Sequence, residues 1–286
     1  MQLTRSVRAY VLLVTVSPIS RADAPRQSIT AGARLAASTV LGSFGVRPFR
    51  ERMRENRSTL NDTLPVHSKW WRDHAKADGE LLYVAIGDSA AQGIGASRPD
   101  RSYVGQIADE LRESTGRSVR VVNLSVSGAT TSLAVRDQLP RFRDVRALRP
   151  DVVTVSIGAN DIAEWDPVRF DRNIRSIFAE LPLHAVVADL PCFYFPQNER
   201  KVAEANRMLR AAAREHGLVV APLHEVTRRQ GLRGILTQFA RDMFHPNDHG
   251  YAVWADAFRP ALASVVRSRR RETMNSFERI TDRRAA

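Results

Sequence analysis

The chain has 286 residues, of which 43% are hydrophobic, a composition typical of a globular protein with a buried core. Its single cysteine, Cys192, excludes an intrachain disulfide, and no segment has the roughly 20 apolar residues that a membrane-spanning helix needs. The net charge is +12, but residues 1–57 hold ten arginines against three acidic residues, and residues 267–286 hold seven against three. The middle is therefore nearly neutral, which argues against a nucleic-acid-binding surface within the fold.

The first 57 residues are expected to form a basic extension. Two arginines precede a short apolar run over residues 10–16, and Ala-Asp-Ala follows at 22–24, which outlines a secretory signal. Against export, the run is short and is closely followed by Pro18 and Arg21. We therefore expect a cytoplasmic protein, with export through a weak signal as the alternative.

From residue 80 onward, short β-branched runs alternate with amphipathic segments. We predict strands over residues 81–87, 119–125, 151–157, 184–190 and 218–222, and helices over 103–115, 131–140, 167–181, 197–216 and 249–267. A further short helix within 58–80 is expected to anchor on the domain through Trp70 and Trp71. The strict alternation predicts a parallel sheet with helices on both faces.

Three of the predicted strands are followed by turns of glycine and small polar residues. These turns contain Gly87-Asp88-Ser89, Gly128, and Gly158-Ala159-Asn160-Asp161. Because right-handed crossovers bring the turn after every strand to one sheet edge, they are expected to lie together. Ser89 then offers a nucleophilic hydroxyl, while the Gly128 N–H and the Asn160 amide offer donors to an oxyanion. Each also has an ordinary alternative role: Ser89 can cap a helix, and the other two can serve their own turns.

The segment over residues 242–251 supplies the base that a serine nucleophile requires. Asp242 precedes His245 by three residues, so its carboxylate can bond one imidazole nitrogen while the other faces the serine. Asp248 is a second candidate for the orienting acid. His245 and His249 could instead be the ligands of a metallohydrolase, although Pro246 opposes the continuous helix that this spacing requires.

These blocks, Gly87-Asp88-Ser89, Gly128, Gly158-Ala159-Asn160-Asp161 and Asp242-Met243-Phe244-His245-Pro246, resemble in order and context the SGNH or GDSL-type hydrolases, over about residues 80–265. The resemblance implies a flavodoxin-like three-layer α/β/α sandwich with a five-stranded parallel sheet. It implies a serine ester hydrolase, esterase-like or lipase-like, that needs no metal or organic cofactor.

The same resemblance assigns roles to individual residues. Ser89 would be the nucleophile that forms an acyl-enzyme, His245 the general base, and Asp242 the group that orients the base. The backbone N–H groups of Ser89 and Gly128, with the side chain of Asn160, would form the oxyanion hole. The motifs of two other classes of protein fit less well. The glycines at 87–95 lack the following Gly-Lys-Ser/Thr of an NTPase phosphate loop, and the G-x-S-x-G motif of the α/β-hydrolases does not occur.

We therefore expect a basic extension over residues 1–57, a hydrolase domain over 58–266 and a basic tail over 267–286. The expected partner is a small-molecule ester, bound by a monomer without specific nucleic-acid recognition or a transmembrane segment. Weak contact of the basic ends with an anionic surface is compatible with this scheme. The alternative from another functional class is a non-catalytic flavodoxin-like binding module, which would not need Asp242 and His245.

Several residues near the predicted sheet edge are expected to have structural roles. Cys192 follows the fourth strand and is expected to be a small packing residue rather than a second nucleophile. The aromatic and apolar residues of the neighbouring loops outline either an acyl pocket or core packing: Phe193, Tyr194, Phe195, Leu236 and Phe239. The remaining histidines, His67, His74, His184, His216 and His224, are expected on the surface or in loops.

Overall fold

The structure is a computed structural model that describes residues 62–285, with side chains described for residues 62–266. The predicted extension over residues 1–57 lies outside the described residues, as do the side chains of the predicted tail. Within residues 62–285 there are five strands: β1 (Leu81–Gly87), β2 (Val119–Asn123), β3 (Val152–Ser156), β4 (Val186–Ala188) and β5 (Val219–Ala221). They form one parallel sheet in the order β2-β1-β3-β4-β5.

The central strand β1 is buried on both faces, which is why its sequence is a continuous apolar run. Successive side chains of a strand point to opposite faces, so Tyr83 and Ala85 pack into one core and Val84 and Ile86 into the other. Each of these four residues is fully buried. Burying one large apolar side chain stabilises a fold by about 1.5–3 kcal/mol, so β1 is a major source of stability.

Helices cover both faces of the sheet. They are α1 (Leu64–His74), α2 (Ser89–Gln92), α3 (Tyr103–Thr115), α4 (Thr131–Leu133), α5 (Leu139–Arg146), α6 (Pro167–Phe178), α7 (Pro196–Glu215), α8 (Leu223–Arg229), α9 (Gly231–Thr237) and α10 (Asp248–Ala285). Helices α1, α3 and α10 contribute to one core, and α5, α6 and α7 to the other. This arrangement confirms the predicted three-layer α/β/α sandwich.

The segment after β2 differs from the continuous helix predicted over 131–140. A π-helical turn, Ala134–Gln138, joins α4 to α5. In this turn the Leu139 N–H bonds the Ala134 carbonyl, five residues back, and the following Pro140 has no N–H to continue the regular pattern. The helical segment extends to Arg146, and the wide turn leaves Gln138 fully buried beside β1.

Helix boundaries near the chain end also differ from the predictions. Helices α8 and α9 occupy a region where no helix was predicted, because seven-residue segments show too little periodicity to be recognised. Helix α10 continues to Ala285 instead of ending near residue 267; the added segment contains neither glycine nor proline and is rich in arginine, a good helix former. Within residues 62–285, no helix is both long and apolar enough to cross a membrane.

Candidate active site

Ser89 lies at the first position of the short helix α2, directly after β1. Asp88 caps this helix, because its Oδ1 accepts a hydrogen bond from the Ala90 N–H at 2.9 Å. The ordinary role considered for Ser89, capping of the helix, is therefore performed by its neighbour. The Ser89 side chain is left to make a long-range contact, although the residue is only 5% exposed.

That contact is with His245. The Nε2 atom of His245 lies 2.9 Å from the Ser89 Oγ, and its Nδ1 atom lies 2.6 Å from the Asp242 Oδ2. When the Asp242 carboxylate accepts a hydrogen bond from Nδ1–H, the unprotonated Nε2 can accept the serine hydroxyl proton. The side chain of Asp242 is fully buried and that of His245 is 15% exposed. The three residues therefore form a continuous hydrogen-bonded chain.

The loop that carries His245 is held in shape by Asp242 itself. Its Oδ1 accepts hydrogen bonds from the backbone N–H groups of Phe244 and His245, each at 3.0 Å. Met243 between them has a φ of +53°, a left-handed conformation unusual for a non-glycine residue. Burial would raise the pKa of Asp242, but the hydrogen bonds from His245 and the backbone outweigh it and hold the pKa below its ordinary value.

The alternatives considered for this loop are not supported by its geometry. Asp248 was a second candidate to orient His245, but its carboxylate accepts hydrogen bonds from the Ser97 N–H and hydroxyl at 2.7 and 2.6 Å. The metal-binding alternative is not supported within the described residues, because neither His245 nor His249 belongs there to a group of three or more side chains whose ligand atoms could share one ion. His249 lies in the first turn of α10 and is exposed.

The turns after β2 and β3 meet next to Ser89. Gly128 has a φ of +76°, as expected for a glycine turn. The Asn160 Nδ2 group donates to the carbonyl oxygen of Ala129, the residue after Gly128, at 2.9 Å and lies 3.3 Å from the Asp88 Oδ2. These two contacts place the Asn160 side chain between the turn after β2 and the turn that carries Ser89.

Two buried carboxylates stabilise these turns, and the sequence assigned neither of them a role. Asp161 accepts hydrogen bonds from the Thr131 N–H at 2.9 Å and hydroxyl at 2.7 Å, which joins the turn after β3 to the start of α4. Asp88 is 5% exposed, and its burial raises its pKa to about 6 despite the hydrogen bond from Ala90 and the nearby His245. The Asp88 carboxyl therefore loses its proton near pH 6.

Three further residues position Ser89 from outside the predicted blocks. The side chain of Gln138 donates to the Gly87 carbonyl at 2.8 Å and accepts from the Gly87 N–H at 3.0 Å, which fixes the end of β1. His67 and Trp71 of α1 both bond the carbonyl oxygen of Gln92, the last residue of α2, at 3.0 Å. The predicted surface location of His67 is wrong: it is 3% exposed, because this hydrogen bond satisfies it in the interior.

A cavity of about 710 Å³ lies apart from these residues. It is bounded by helices α1 and α3 and by the segment over residues 96–100, with Trp70, Ser97 and Arg112 among its lining residues. None of Ser89, Asn160 and His245 lines it. This cavity is therefore distinct from the space in front of the Ser89 hydroxyl.

A comparison with protein families places this geometry in context. The model of the GDSL-like Lipase/Acylhydrolase family matches residues 85–253, more than half of the chain. The chain belongs to the GDSL-like lipase/acylhydrolase family. The matched range contains the predicted site residues Ser89, Gly128, Asn160, Asp242 and His245. The family predicted from the four sequence blocks is thereby confirmed.

Individual proteins agree with this family membership. A GDSL-like esterase of Mycobacterium tuberculosis is 28% identical over 210 residues, a match that covers 68% of this chain and 65% of that esterase. The chain thus matches slightly less than two thirds of the length of this relative.

Solved structures show the same fold. LAE5, an alpha/beta hydrolase enzyme from the metagenome of Lake Arreo in Spain, has 24% identity and a TM-score of 0.52, with 66% of this chain and 98% of LAE5 covered. TesA has 22% identity and a TM-score of 0.54, with 65% of this chain and 99% of TesA covered. Both matches therefore cover nearly the whole of the solved chain and about two thirds of this GDSL-like chain.

Proposed function

We propose that this GDSL-like protein is a serine ester hydrolase that acts through an acyl-enzyme on Ser89. The observation that carries the proposal is the chain of hydrogen bonds from Ser89 through His245 to the buried Asp242. A serine hydroxyl becomes a useful nucleophile when a base accepts its proton and a third group orients that base. Membership of the GDSL-like family supports the same reaction class.

The first half of the proposed reaction forms the acyl-enzyme. The Ser89 Oγ attacks the ester carbonyl carbon while His245 Nε2 takes the hydroxyl proton. Asp242 stabilises the resulting imidazolium through its hydrogen bond with Nδ1. Collapse of the tetrahedral intermediate breaks the bond to the alcohol oxygen, and His245 returns the proton to the departing alcohol.

The second half releases the acid. A water molecule replaces the alcohol, His245 removes one of its protons, and the oxygen attacks the acyl carbon. When the second intermediate collapses, the proton returns from His245 to the Ser89 Oγ. The products are one carboxylic acid and one alcohol, and the enzyme regains its starting state.

The negative charge on the carbonyl oxygen needs donors in both halves. We assign this role to the backbone N–H groups of Ser89 and Gly128 and to the Asn160 Nδ2 group. Asn160 is supported by its long contact with Asp88, which a developing oxyanion can replace more readily than the shorter bond to Ala129. One donor of this kind typically contributes about 10²- to 10³-fold to kcat.

Hydrolysis of p-nitrophenyl acetate by the wild type, Ser89→Ala, His245→Ala and Asn160→Ala tests the assignment. We expect Ser89→Ala and His245→Ala each to lose several orders of magnitude in kcat, and Asn160→Ala to lose about 10²- to 10³-fold. The exposed His249→Gln variant is a matched control and should retain activity. Equal rates in the wild type and Ser89→Ala would contradict the proposal.

Labelling with a fluorophosphonate probe distinguishes this enzyme from a non-catalytic binding module on the same fold. An activated serine forms a covalent adduct that mass spectrometry locates on Ser89, whereas a binding module leaves the probe unreacted. A second assay in EDTA tests the metallohydrolase alternative, since the proposed mechanism predicts an unchanged rate. Loss of activity in EDTA that added metal restores, together with loss of activity in His249→Gln, would favour that alternative.

The proposed substrate is a small-molecule ester, and its acyl length is open to direct measurement. Two exposed apolar side chains lie in the segment that leads to His245: Leu236 is 63% exposed and Phe244 is 37% exposed. The Tyr194 and Phe239 rings, by contrast, pack against each other with centroids 6.3 Å apart. A series of p-nitrophenyl esters of increasing chain length should show higher kcat/KM for longer chains if Phe244 contacts the acyl group, and Phe244→Ala should remove that gain.

A further inference from the structure

Three potential metal-binding side chains converge at the carboxyl end of β4, outside the proposed triad. Cys192 lies in the loop after β4, Glu199 in the first turns of α7, and His224 in the first turn of α8. One ligand atom from each side chain lies within 4.8 Å of the corresponding atoms of the other two. The thiol, carboxylate and imidazole therefore surround a common point, although they come from three separate segments.

Each of the three residues is fixed by a further hydrogen bond. The Cys192 N–H donates to the Thr227 hydroxyl at 2.8 Å, and the His224 N–H donates to the Asp189 carboxylate at 2.7 Å. The Oε1 atom of the Glu199 carboxylate accepts a hydrogen bond from the Phe193 N–H. The Glu199 contact is of the kind that orients a metal ligand, whereas the two backbone bonds fix the segments from which the Cys192 and His224 side chains project.

We propose that Cys192, Glu199 and His224 bind a divalent transition-metal ion, with Zn²⁺ as the ion that fits their chemistry best. Sulfur, imidazole nitrogen and carboxylate oxygen are the three ligand types that zinc takes in proteins, and a thiolate selects against Mg²⁺ and Ca²⁺. The thiolate and carboxylate together balance the charge of a divalent ion.

The dimensions of the cluster suit this ion. Zinc bonds of about 2.0–2.3 Å in a tetrahedron place ligand atoms roughly 3.3–3.8 Å apart. His224 Nε2 and Glu199 Oε2 lie 2.9 Å apart in a hydrogen bond, so binding requires these two atoms to separate slightly. The His224 and Glu199 side chains are 19% and 26% exposed, which leaves one side open for water as a fourth ligand.

Binding of the ion would connect the loop after β4 with helices α7 and α8, beside the proposed active site. The loop that carries Cys192 continues to Tyr194, which has a φ of +62° and packs on Phe239. Phe239 pairs with Pro246, the residue after His245. We therefore assign the ion a stabilising role in the loops around the site and no part in the ester reaction.

Titration of the chelator-treated full chain with Zn²⁺ tests the proposal. We expect one high-affinity ion per chain by calorimetry, and a rise in Tm when it binds. Co²⁺ gives a spectroscopic test, because a thiolate ligand produces a sulfur-to-cobalt charge-transfer band. Cys192→Ser should remove that band, and Cys192→Ser and His224→Gln should each weaken Zn²⁺ binding on the order of 100-fold or more.

His216→Gln is the matched control, since this histidine lies at the end of α7 away from the cluster, and it should bind Zn²⁺ like the wild type. A circular dichroism spectrum like that of the wild type and cooperative thermal unfolding without metal would show that each variant is folded; Glu199→Gln provides a third variant should Cys192→Ser fail to fold. A Co²⁺ complex without the thiolate band, or Zn²⁺ affinity unchanged in His224→Gln and Glu199→Gln, would overturn the proposal. These readouts do not depend on whether Ser89 is the nucleophile.

Discussion

The backbone of Gly95 lies directly against His245. A β-carbon placed on Gly95 would lie 2.9 Å from the His245 Cβ and 2.5 Å from the carbonyl oxygen of Pro246. Gly95 also has a φ of +98°, a conformation that other residues rarely adopt. The position of the proposed base therefore depends on the absence of a side chain 150 residues earlier in the sequence.

Gly95→Ala should lower kcat/KM by about 100-fold, because the new methyl group must displace the His245 loop and misalign the base. Gly116→Ala is the matched control, since Gly116 has a φ of +67° but a β-carbon added there would have no atoms within 4 Å. Both variants place alanine at a positive φ, which costs about 1–2 kcal/mol in the left-handed helical region. Steady-state kinetics should show a loss of activity in Gly95→Ala alone; equal losses would indicate a general effect of strain.

Asp242→Asn should reduce kcat by about 10³- to 10⁴-fold, with little change in KM. An amide NH₂ facing Nδ1 favours the tautomer whose proton is on Nε2, so His245 can no longer accept the Ser89 proton. Asp248→Asn is the comparison, because Asp248 bonds Ser97 and not His245. Kinetics of both variants on one ester would separate the two acids, and a larger loss in Asp248→Asn would reverse their assignment.

Asp88→Asn should stabilise the fold at neutral and alkaline pH. The folded chain holds this carboxyl with a pKa of about 6 against an ordinary value of 3.8, so between these values it retains a proton that the unfolded chain has lost. The free energy of unfolding therefore falls as the pH rises through this window. Removing the charge should recover at most about 3 kcal/mol above pH 6.

Urea unfolding of the wild type and Asp88→Asn between pH 4 and pH 8 measures this effect. The two proteins should converge toward pH 4 and diverge as the pH rises, and the asparagine can still cap α2. The exposed Asp73→Asn is a control that should stay within about 0.5 kcal/mol of the wild type. A difference that does not vary with pH would show that the charge of Asp88 is not its cause.

Gln138→Met should destabilise the fold by about 1–3 kcal/mol and lower kcat, because it leaves the buried Gly87 N–H without its partner. The Gly87 carbonyl retains a second donor, the Val126 N–H at 3.2 Å. Gln106→Met removes a comparable bond to the Arg101 carbonyl on the exposed face of α3 and should have little effect. Urea unfolding together with kcat would test the role of Gln138, and equal behaviour of the two variants would contradict it.

Local patterns in the sequence were sufficient to predict most of the fold. The bounds of β1 and α3 agree with the predicted ranges of 81–87 and 103–115, because an apolar run and a strong helical period define them. The helix predicted over 197–216 is found at Pro196–Glu215, since proline and glycine define its two ends. The family and the three-layer sandwich followed from short blocks at the strand ends.

The contacts that join distant segments could not be predicted in this way. Gln138 bonds a glycine 51 residues away, and Asp248 bonds a serine 151 residues away. A glutamine or aspartate in a helical pattern is normally interpreted as solvent-facing, so nothing in its neighbours indicates a buried partner. The cluster of Cys192, Glu199 and His224 could not be predicted for the same reason, because only folding brings its three segments together.

The hydrogen bond between Ser89 and His245 spans 156 positions of the chain, and four of the five strands lie between them. During synthesis on the ribosome, the serine emerges long before the histidine. Under the proposed chemistry, a polypeptide that ends before His245 therefore has an unactivated hydroxyl and cannot hydrolyse esters. A fluorophosphonate probe would consequently label only those molecules that have been synthesised past His245 and have folded.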